Sequence, residues 1–373
     1  MEFKQVKMED VADVTKLAGF EFTKYIKYNE TGEIIALRAI NIRDNTLDLT
    51  DVKRIDKSVS ESLIRSKLYK DDIILTYTGN GAGAAAIINE NDKYHLASNI
   101  CKITPKEINP YYLYKYITSS RFQKEIISNI GGSGQPTIPM KTIRVLPIAV
   151  PSRCNQTKIA KILKNIDDKI KSNNEINNNL YEEAVALYKD KFKGIGQGKK
   201  TIGDYIVPKR GKNLLTRDAI DGDTPVVAGG IDPSAYHNQF NTKSPVITIS
   251  ASGANAGYTN LWNIPVWASD CSYIDDSITK NVYFWYIVLK TRQNEIFDAQ
   301  TGSAQPHIYP QHIAEMSIGE LNIAEVEKYN NLVEPLFKMI GENQKENKKL
   351  EQLRDTLLPK LMNGEIDLDN IEI

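Results

Sequence analysis

Redox and metal chemistry have little to work with in this chain. Its three cysteines, Cys101, Cys154 and Cys271, lie far apart among 373 residues, which fits neither a disulfide framework nor a zinc pattern. The four histidines are equally scattered. His307 and His312 are five apart, off a shared helix face, while His95 and His237 are distant, so no metal site is expected. No apolar run approaches membrane length. The longest apolar-looking piece, Val282 to Leu289, is under half of what a spanning helix needs. The opening MEFKQVKMED carries both charge signs and no apolar stretch, so neither a signal peptide nor a membrane partner is expected. The composition is that of a cytoplasmic globular protein, 41% hydrophobic and 25% charged.

Net charge is also lacking: 47 lysines and arginines balance 47 aspartates and glutamates. The balance is uneven along the chain. Basic residues lead by 21 to 18 over residues 1–152 and by 9 to 6 over 153–198. They trail by 10 to 12 over 199–323 and by 7 to 11 over 324–373. Nucleic-acid binders usually show a basic bias, so any such role must rest on local patches and not on the total.

What is present is a long amphipathic segment near the middle, repeated once. Ile159, Leu163, Ile166, Ile170, Leu180, Ala184 and Leu187 fall at the 4-then-3 spacing of a coiled-coil seam. Moving forward 170 residues gives Tyr329, Val333, Leu336, Ile340, Leu350, Arg354 and Leu357. Asn173 and Asn177 interrupt the first seam, and Asn343 and Asn347 interrupt the second at the same depth. Asn–Asn pairing across the seam is expected to fix register. The asparagine-rich 172–179 could alone form a hairpin, but its twin 342–349 is helix-compatible throughout, so one continuous helix is expected. Pro335 is a candidate kink, and the start of the second helix is less clearly marked.

The flanking regions repeat too. Residues 1–152 read as a mixed α/β unit with β-type runs at 33–40, 72–77 and 145–150. Helical patterns cover Ser58 to Tyr69, with Ser60 as a cap, and Asn109 to Ile127. The strand at 73–77 returns at 245–250, and the glycine loop 79–83 returns at 253–257. Ala97-Ser98-Asn99 returns as Ala268-Ser269-Asp270, and Gly132-Ser133-Gly134-Gln135-Pro136 as Gly302-Ser303-Ala304-Gln305-Pro306. A register held at 170–171 residues marks a tandem duplication of globular unit plus long helix. Four segments follow: 1–152, 153–198 (helix and linker), 199–323 and 324–373 (helix and tail). The glycine-rich 194–200 reads as a flexible linker and the acidic tail after Gly364 as loosely ordered.

None of the motifs reads as catalytic. The glycine loop lacks GxGxxG spacing and a following Gly-Lys-Ser/Thr, so a turn bringing backbone close to a partner suits it better. Asn109-Pro110-Tyr111-Tyr112 resembles the Asn-Pro-Pro-Tyr motif of amino-methyltransferases but lacks the second proline, and a helix start explains it better. No Ser/His/Asp set recurs in both halves. Gln135 and Gln305 admit two readings: an amide meeting an adenine edge or phosphate, or a loop packing the unit onto its helix root. The near identity of the motif in both units favours packing.

Basic clusters are the remaining candidates. Arg38, Arg43, Lys53 and Arg54 surround Asn41 in the first unit, and Lys209, Arg210, Lys212, Asn213 and Arg217 form the densest cationic stretch of the second. Solvated surface charge is the usual reading of such clusters. It explains less at 209–217, where the surrounding unit is net negative. With Asn80 and Asn255 in the glycine loops and the two glutamines, these form the candidate DNA-contact set.

The chain resembles the specificity (S) subunits of Type I restriction–modification systems. The resemblance rests on the repeated Gly-Ser-Gly/Ala-Gln-Pro loop, on Gln156-Thr157-Lys158-Ile159-Ala160-Lys161-Ile162-Leu163, and on the C-terminal run from Leu350 to Ile366. It covers the whole chain. It implies an α+β fold: two mixed α/β target recognition domains joined by two long antiparallel coiled-coil helices in a pseudo-twofold tandem repeat. It implies a subunit without a catalytic site or cofactor. Such a subunit binds double-stranded DNA at a bipartite target and recruits two methyltransferase (M) subunits, which carry S-adenosylmethionine, and restriction (R) subunits for cleavage. A helix of about 35 residues, roughly 1.5 Å per residue, suits readers somewhat more than one DNA turn apart. Differing loops in the two units imply an asymmetric target. Two rivals stay open: an autonomous DNA methyltransferase, which tight S-adenosylmethionine binding by the chain alone would favour, and a non-DNA scaffold for two protein partners.

Overall fold

The computed structural model describes residues 2–131, 134–302 and 305–368. The chain forms two compact units. The first comprises residues 1–169 and 349–373, and the second residues 170–348. The division cuts through both long helices, Arg153–Lys191 and Ile323–Asn363. Each helix half therefore belongs with the globular part it packs against, where the sequence had set the helices apart as segments of their own.

The two units are built on one topology. In the first, an antiparallel sheet orders Ala12–Lys16, Ile100–Pro105, Ile73–Thr76 and Ala85–Ile87. In the second, Lys209–Arg210, Cys271–Asp275, Val246–Ser250 and Thr259–Trp262 take the same order. Each unit adds a further sheet with one parallel pair, Ile34–Leu37 with Tyr94–Leu96 and Thr224–Val227 with Trp267–Ala268. A two-stranded ribbon ties the start of each unit to its end: Lys4–Lys7 with Pro147–Val150, and Lys200–Thr201 with Ser317–Ile318. The central strands, Ile73–Thr76 and Val246–Ser250, are buried along their length. Cys101 and Cys271 occupy matching buried places on the neighbouring strand, and burial pushes both thiols up to about 12.

Several local expectations need correction. The helical pattern from Asn109 to Ile127 is two helices, Pro110–Thr118 and Ser120–Ser128. Ser119 between them is extended, donates its hydroxyl to the Tyr116 carbonyl and accepts from the Phe122 amide. A serine that caps the next helix ends the previous one. Asn109 does cap the first, accepting from Tyr112 N at 3.0 Å, with Pro110 at the first helical position. The pattern from Ser58 to Tyr69 resolves into Lys57–Ser62, a 3₁₀ turn and a short strand. Asp56 precedes the helix, and Ser60 lies buried inside it. Residues 140–145 are helical, so the strand read from Val145 begins at Pro147.

The linker and tail are better held than composition suggested. Gly319 N donates to the Ile195 carbonyl at 2.7 Å, and a Cβ on Gly198 would meet Ile318 O at 2.5 Å. In the tail Leu368 is buried, and its carbonyl accepts from Lys158 Nζ at 2.7 Å. Residues 369–373 lie outside the described residues. Pro335 does not interrupt its helix, which runs unbroken from Ile323, with the Asn322 side chain accepting from Ala324 N.

Within each unit the long helices run antiparallel. In the second unit Asn173 Nδ2 donates to Asn347 Oδ1 at 2.8 Å and to Glu346 at 2.7 Å. Asn347 donates to Asn174, and Asn343 to Asn177, each at 2.8 Å. Farther along, Tyr329 donates to the Ala184 carbonyl and joins Tyr188, Phe192 and Phe284 in an aromatic cluster. In the first unit the helices meet through charge. Asp167 takes Lys115 at 2.5 Å, Arg354 at 3.3 Å and the Tyr111 hydroxyl.

Asp167 and Lys115 are largely enclosed, their side chains 21% and 9% exposed. Burial opposes ionisation of Asp167, but the Lys115 ammonium, the Tyr111 hydroxyl and Arg354 outweigh it and hold the carboxyl below its ordinary value. Its contribution to stability is therefore present above the unfolded carboxylate pKa and lost as pH falls through the lower folded value. Asp167→Ala strands a buried ammonium and is expected to cost about 3–5 kcal/mol in urea unfolding at neutral pH. The same variant should also lose part of the acid limb of the stability–pH curve.

Candidate DNA interface

Two motifs that stand apart in sequence come together in each unit. The glycine loop and the Gln-Pro loop are fastened backbone to backbone. Gly79 N donates to Pro136 O at 2.8 Å and Ile138 N to Tyr77 O at 2.9 Å. In the second unit Gly253 N donates to Pro306 O at 3.1 Å and Ile308 N to Ala251 O at 2.9 Å. A glutamine from the adjoining helix secures each glycine loop from beneath: Gln123 Nε2 donates to Gly83 O at 2.9 Å, and Gln293 Nε2 to Gly257 O at 2.7 Å. Gly83 and Gly257 have φ of +102° and +86°, and a Cβ there would crowd Gln123 and Ile296 respectively. Glycine is required by both conformation and space.

This paired-loop platform presents polar groups outward. Gln135, Gln305 and Asn80 are exposed, and Asn255 is half-buried. Residues 132–133 and 303–304 of the repeated motif lie outside the described residues.

In the second unit the basic stretch reaches the platform through one polar chain. Lys209–Arg210 is an edge strand beside Cys271–Asp275. Arg210 pairs with Asp270, which accepts from the Ser252 hydroxyl, and Ser252 bridges to His307 of the Gln-Pro loop. Gly211 lies against the Ala268 and Ser269 carbonyls, and Trp267 Nε1 donates to Lys212 O at 2.9 Å. The backbone is thus fixed while Lys209, Lys212, Asn213 and Arg217 remain exposed. Arg217 is 81% exposed and sits 3.7 Å from Asp218. Exposed pairs of this kind contribute little, so their cations stay open to phosphate.

The first unit distributes its candidates differently. Asn41 is buried, accepting from Arg38 N and donating to the Asp48 and Asp51 carbonyls, so its amide organises the 48–51 loop. Arg38 is mostly buried against Asp51, and Arg43 pairs with Asp48 at 3.0 Å. Arg54 is half-buried and reaches the Gly32 carbonyl. Lys53 is exposed on the same short strand. None of the contacts just described ties this group to the platform. A cation the sequence reasoning missed does reach it: exposed Lys16 lies 4.9 Å over the Tyr77 ring, on the strand next to Ile100–Pro105. Its signal was its place one strand from the glycine loop, which only the sheet order reveals. The four seam asparagines, Asn173, Asn177, Asn343 and Asn347, all lie between the paired helices of the second unit.

Titratable groups are also buried elsewhere. His95 is enclosed, with Nδ1 2.7 Å from the Leu96 carbonyl, and burial lowers its pKa. Among the described residues no group of His, Cys, Asp and Glu could hold a metal ion, and no helix is long and apolar enough to cross a membrane.

The fold is duplicated, with one exposed polar platform in each unit. Comparison with known proteins makes this specific. Residues 1–182 match the Type I restriction modification DNA specificity domain. The chain is 28% identical over 302 residues to the Type I restriction enzyme MjaIX specificity subunit of Methanocaldococcus jannaschii, covering 70% of this chain and 69% of that one. It is 25% identical over 307 residues to a Mycoplasma pneumoniae chain assigned as a type I specificity subunit, covering 75% and 80%. A crystal structure of the Type I restriction–modification S subunit from Mycoplasma genitalium superposes with a TM-score of 0.64 at 18% identity over 97% of this chain and 96% of that one, showing the shared fold. The chain is thus similar to the specificity subunits of Type I restriction–modification systems, in sequence to their DNA specificity domain over residues 1–182 and in fold to an S subunit over nearly its whole length.

The two glycines of one loop give a discriminating measurement. A Cβ on Gly253 meets open space although φ is +80°, so Gly253→Ala should cost only about 1–2 kcal/mol of left-handed strain. Gly257→Ala adds contact with Ile296 at 2.9 Å and should lower the unfolding midpoint further.

Proposed function

We propose that this chain reads a bipartite, asymmetric double-stranded DNA target, one half-site per globular domain, within an assembly of two methyltransferase (M) subunits and, for cleavage, restriction (R) subunits. The domains are those of residues 1–152 and 199–323, with 153–198 and 324–373 supplying the helices on which the enzyme subunits dock. S-adenosylmethionine enters on the M subunits, and the assembly works in the cytoplasm. One observation carries this reading: the paired-loop platform occurs once in each unit, on the same framework, with different residues around it. Asn80 with Lys16 flanks one platform, and Asn255 with Arg210 and Lys212 flanks the other. Matching frameworks with different surfaces suit two readers of unlike sequence.

Contacts divide by type in this reading. Lys212 and Arg217 meet phosphates, which set affinity, while Gln135 and Gln305, whose side chains are exposed and not packed onto the helix root, meet base edges, which set sequence. Because the chain carries no net charge, much of the phosphate contact comes from the M subunits. The chain alone is therefore expected to bind DNA weakly and with steep salt dependence, and to bind tightly once M is added. Equal affinity in both cases, measured by fluorescence anisotropy, would refute this.

Substitutions separate the roles. Arg217→Ala should weaken binding evenly across sequences and reduce the magnitude of the salt slope by about one. Gln305→Ala should instead relax recognition in one half-site only, read by adenine-methylation mapping in a host supplying the M subunits. Identical half-sites in such a map would sink the asymmetric reading. A four-residue insertion just before Asn173 should alter the gap between half-sites and leave both half-sites unchanged.

A further inference from the structure

The second unit holds a cavity of about 260 Å³ that the DNA reading does not use. Its walls come from three places: Asn177, Asn178 and Tyr181 on the first long helix, Phe337, Ile340 and Gln344 on the second, and the globular part through Asn260, Asn263, Tyr286 and Lys290. Three aromatic rings sit edge to face along one side, Tyr181 with Tyr286 at 6.2 Å and Tyr286 with Phe337 at 5.7 Å. Leu261, Ile340, Lys290 and several amides line the rest.

The corresponding place in the first unit is closed by charge. There, Asp167 neutralises Lys115 and Arg354 and accepts from Tyr111. At the 170–171 offset, Phe337 replaces Asp167, Tyr286 replaces Lys115 and Ala184 replaces Arg354. A cation nevertheless remains. Lys290, one turn beyond Tyr286, is half-buried, donates to the Thr259 carbonyl at 2.9 Å and lies 4.3 Å over the Tyr258 ring. Its described contacts include no carboxylate, and burial lowers its pKa. Beside it lie the Tyr181 and Tyr286 hydroxyls and the exposed amides of Asn178 and Gln344. A half-buried ammonium with no carboxylate among its described partners, beside aromatic faces at a cavity, suits an organic anion.

We infer that this cavity binds a small organic anion bearing a flat heteroaromatic ring, of nucleoside monophosphate size. Its charged group takes on Lys290 the part that Asp167 plays in the first unit. The ring lies against Tyr181 and Tyr286, a sequence-tolerant stacking surface, and its edge meets the donors and acceptors of Asn178, Asn263 and Gln344. The site lies between elements that the helix pairing already fixes, so occupancy should also stiffen the helix–domain junction.

Titration calorimetry on the full chain, with AMP, CMP and inorganic phosphate as separate probes, tests this. A nucleoside monophosphate should bind and raise the melting temperature, and phosphate alone should bind at least about tenfold more weakly. Lys290→Met, which keeps the aliphatic stem, should lose at least about tenfold in affinity, while Lys290→Arg retains most of it. Gln344→Ala on the exposed rim should weaken binding several-fold and supplies the reading should Lys290→Met fail to fold. Absence of binding, or nucleotide binding untouched by either variant, overturns the inference. Phosphate binding as tightly as the nucleotides overturns the ring-stacking part.

Discussion

The amides buried between the long helices are the constraint on which the second unit depends. Asn173 and Asn347 are enclosed almost completely, and an unpaired amide there would cost about 1–3 kcal/mol. A shift of one helix along the other would break the Asn173–Asn347 and Asn177–Asn343 pairs together. An apolar seam alone tolerates such slippage, because one leucine packs much as another does. The polar interruption makes one register far better than its neighbours. With the register set, Tyr329 reaches Ala184, and the aromatic cluster around Tyr188 and Phe284 closes the core.

Duplication preserved the framework and relaxed the chemistry around it. Strand order, the parallel pair, the end-to-start ribbon and the glutamine beneath the glycine loop occur in both units. Yet where the first unit places Asp167, the second has Phe337, whose ring stacks on Tyr283 of the helix Val282–Thr291 at 5.0 Å. Both solutions fill the same place. The ionic one is sensitive to acid and requires every partner, whereas the aromatic one depends on shape and leaves space beside it. Helix capping diverges likewise. Asn109 caps its own helix, whereas Asn330 of the long helix accepts from Tyr283 N and Phe284 N in the second unit.

Much of the architecture was legible in the residues. The 170-residue offset revealed the duplication, and the seam pattern revealed the long helices, because those signals extend over many turns. Short-range signals misled where a single side chain reversed the local pattern. Ser119 splits one apolar stretch into two helices, and Leu368 anchors a tail whose composition suggests looseness. The candidate site was legible in part. Lys212 and Arg217 lie exposed as their clustering suggested, whereas Asn41 is absorbed by its own loop and Lys16 escaped notice.

The sequence by itself determined the repeat, the paired helices and the polar positions that hold their register, since each is a periodic property of neighbouring residues. Only the tertiary structure decided which loops share a surface. The glycine loop and the Gln-Pro loop are about fifty residues apart in each unit, and neither is complete without backbone hydrogen bonds from the other. It also decided which cations pair with an acid: Arg38 is bound to Asp51, whereas Lys290 donates to the Thr259 carbonyl and lines a cavity. Partnership of that kind depends on distance through space, which spacing along the chain does not encode.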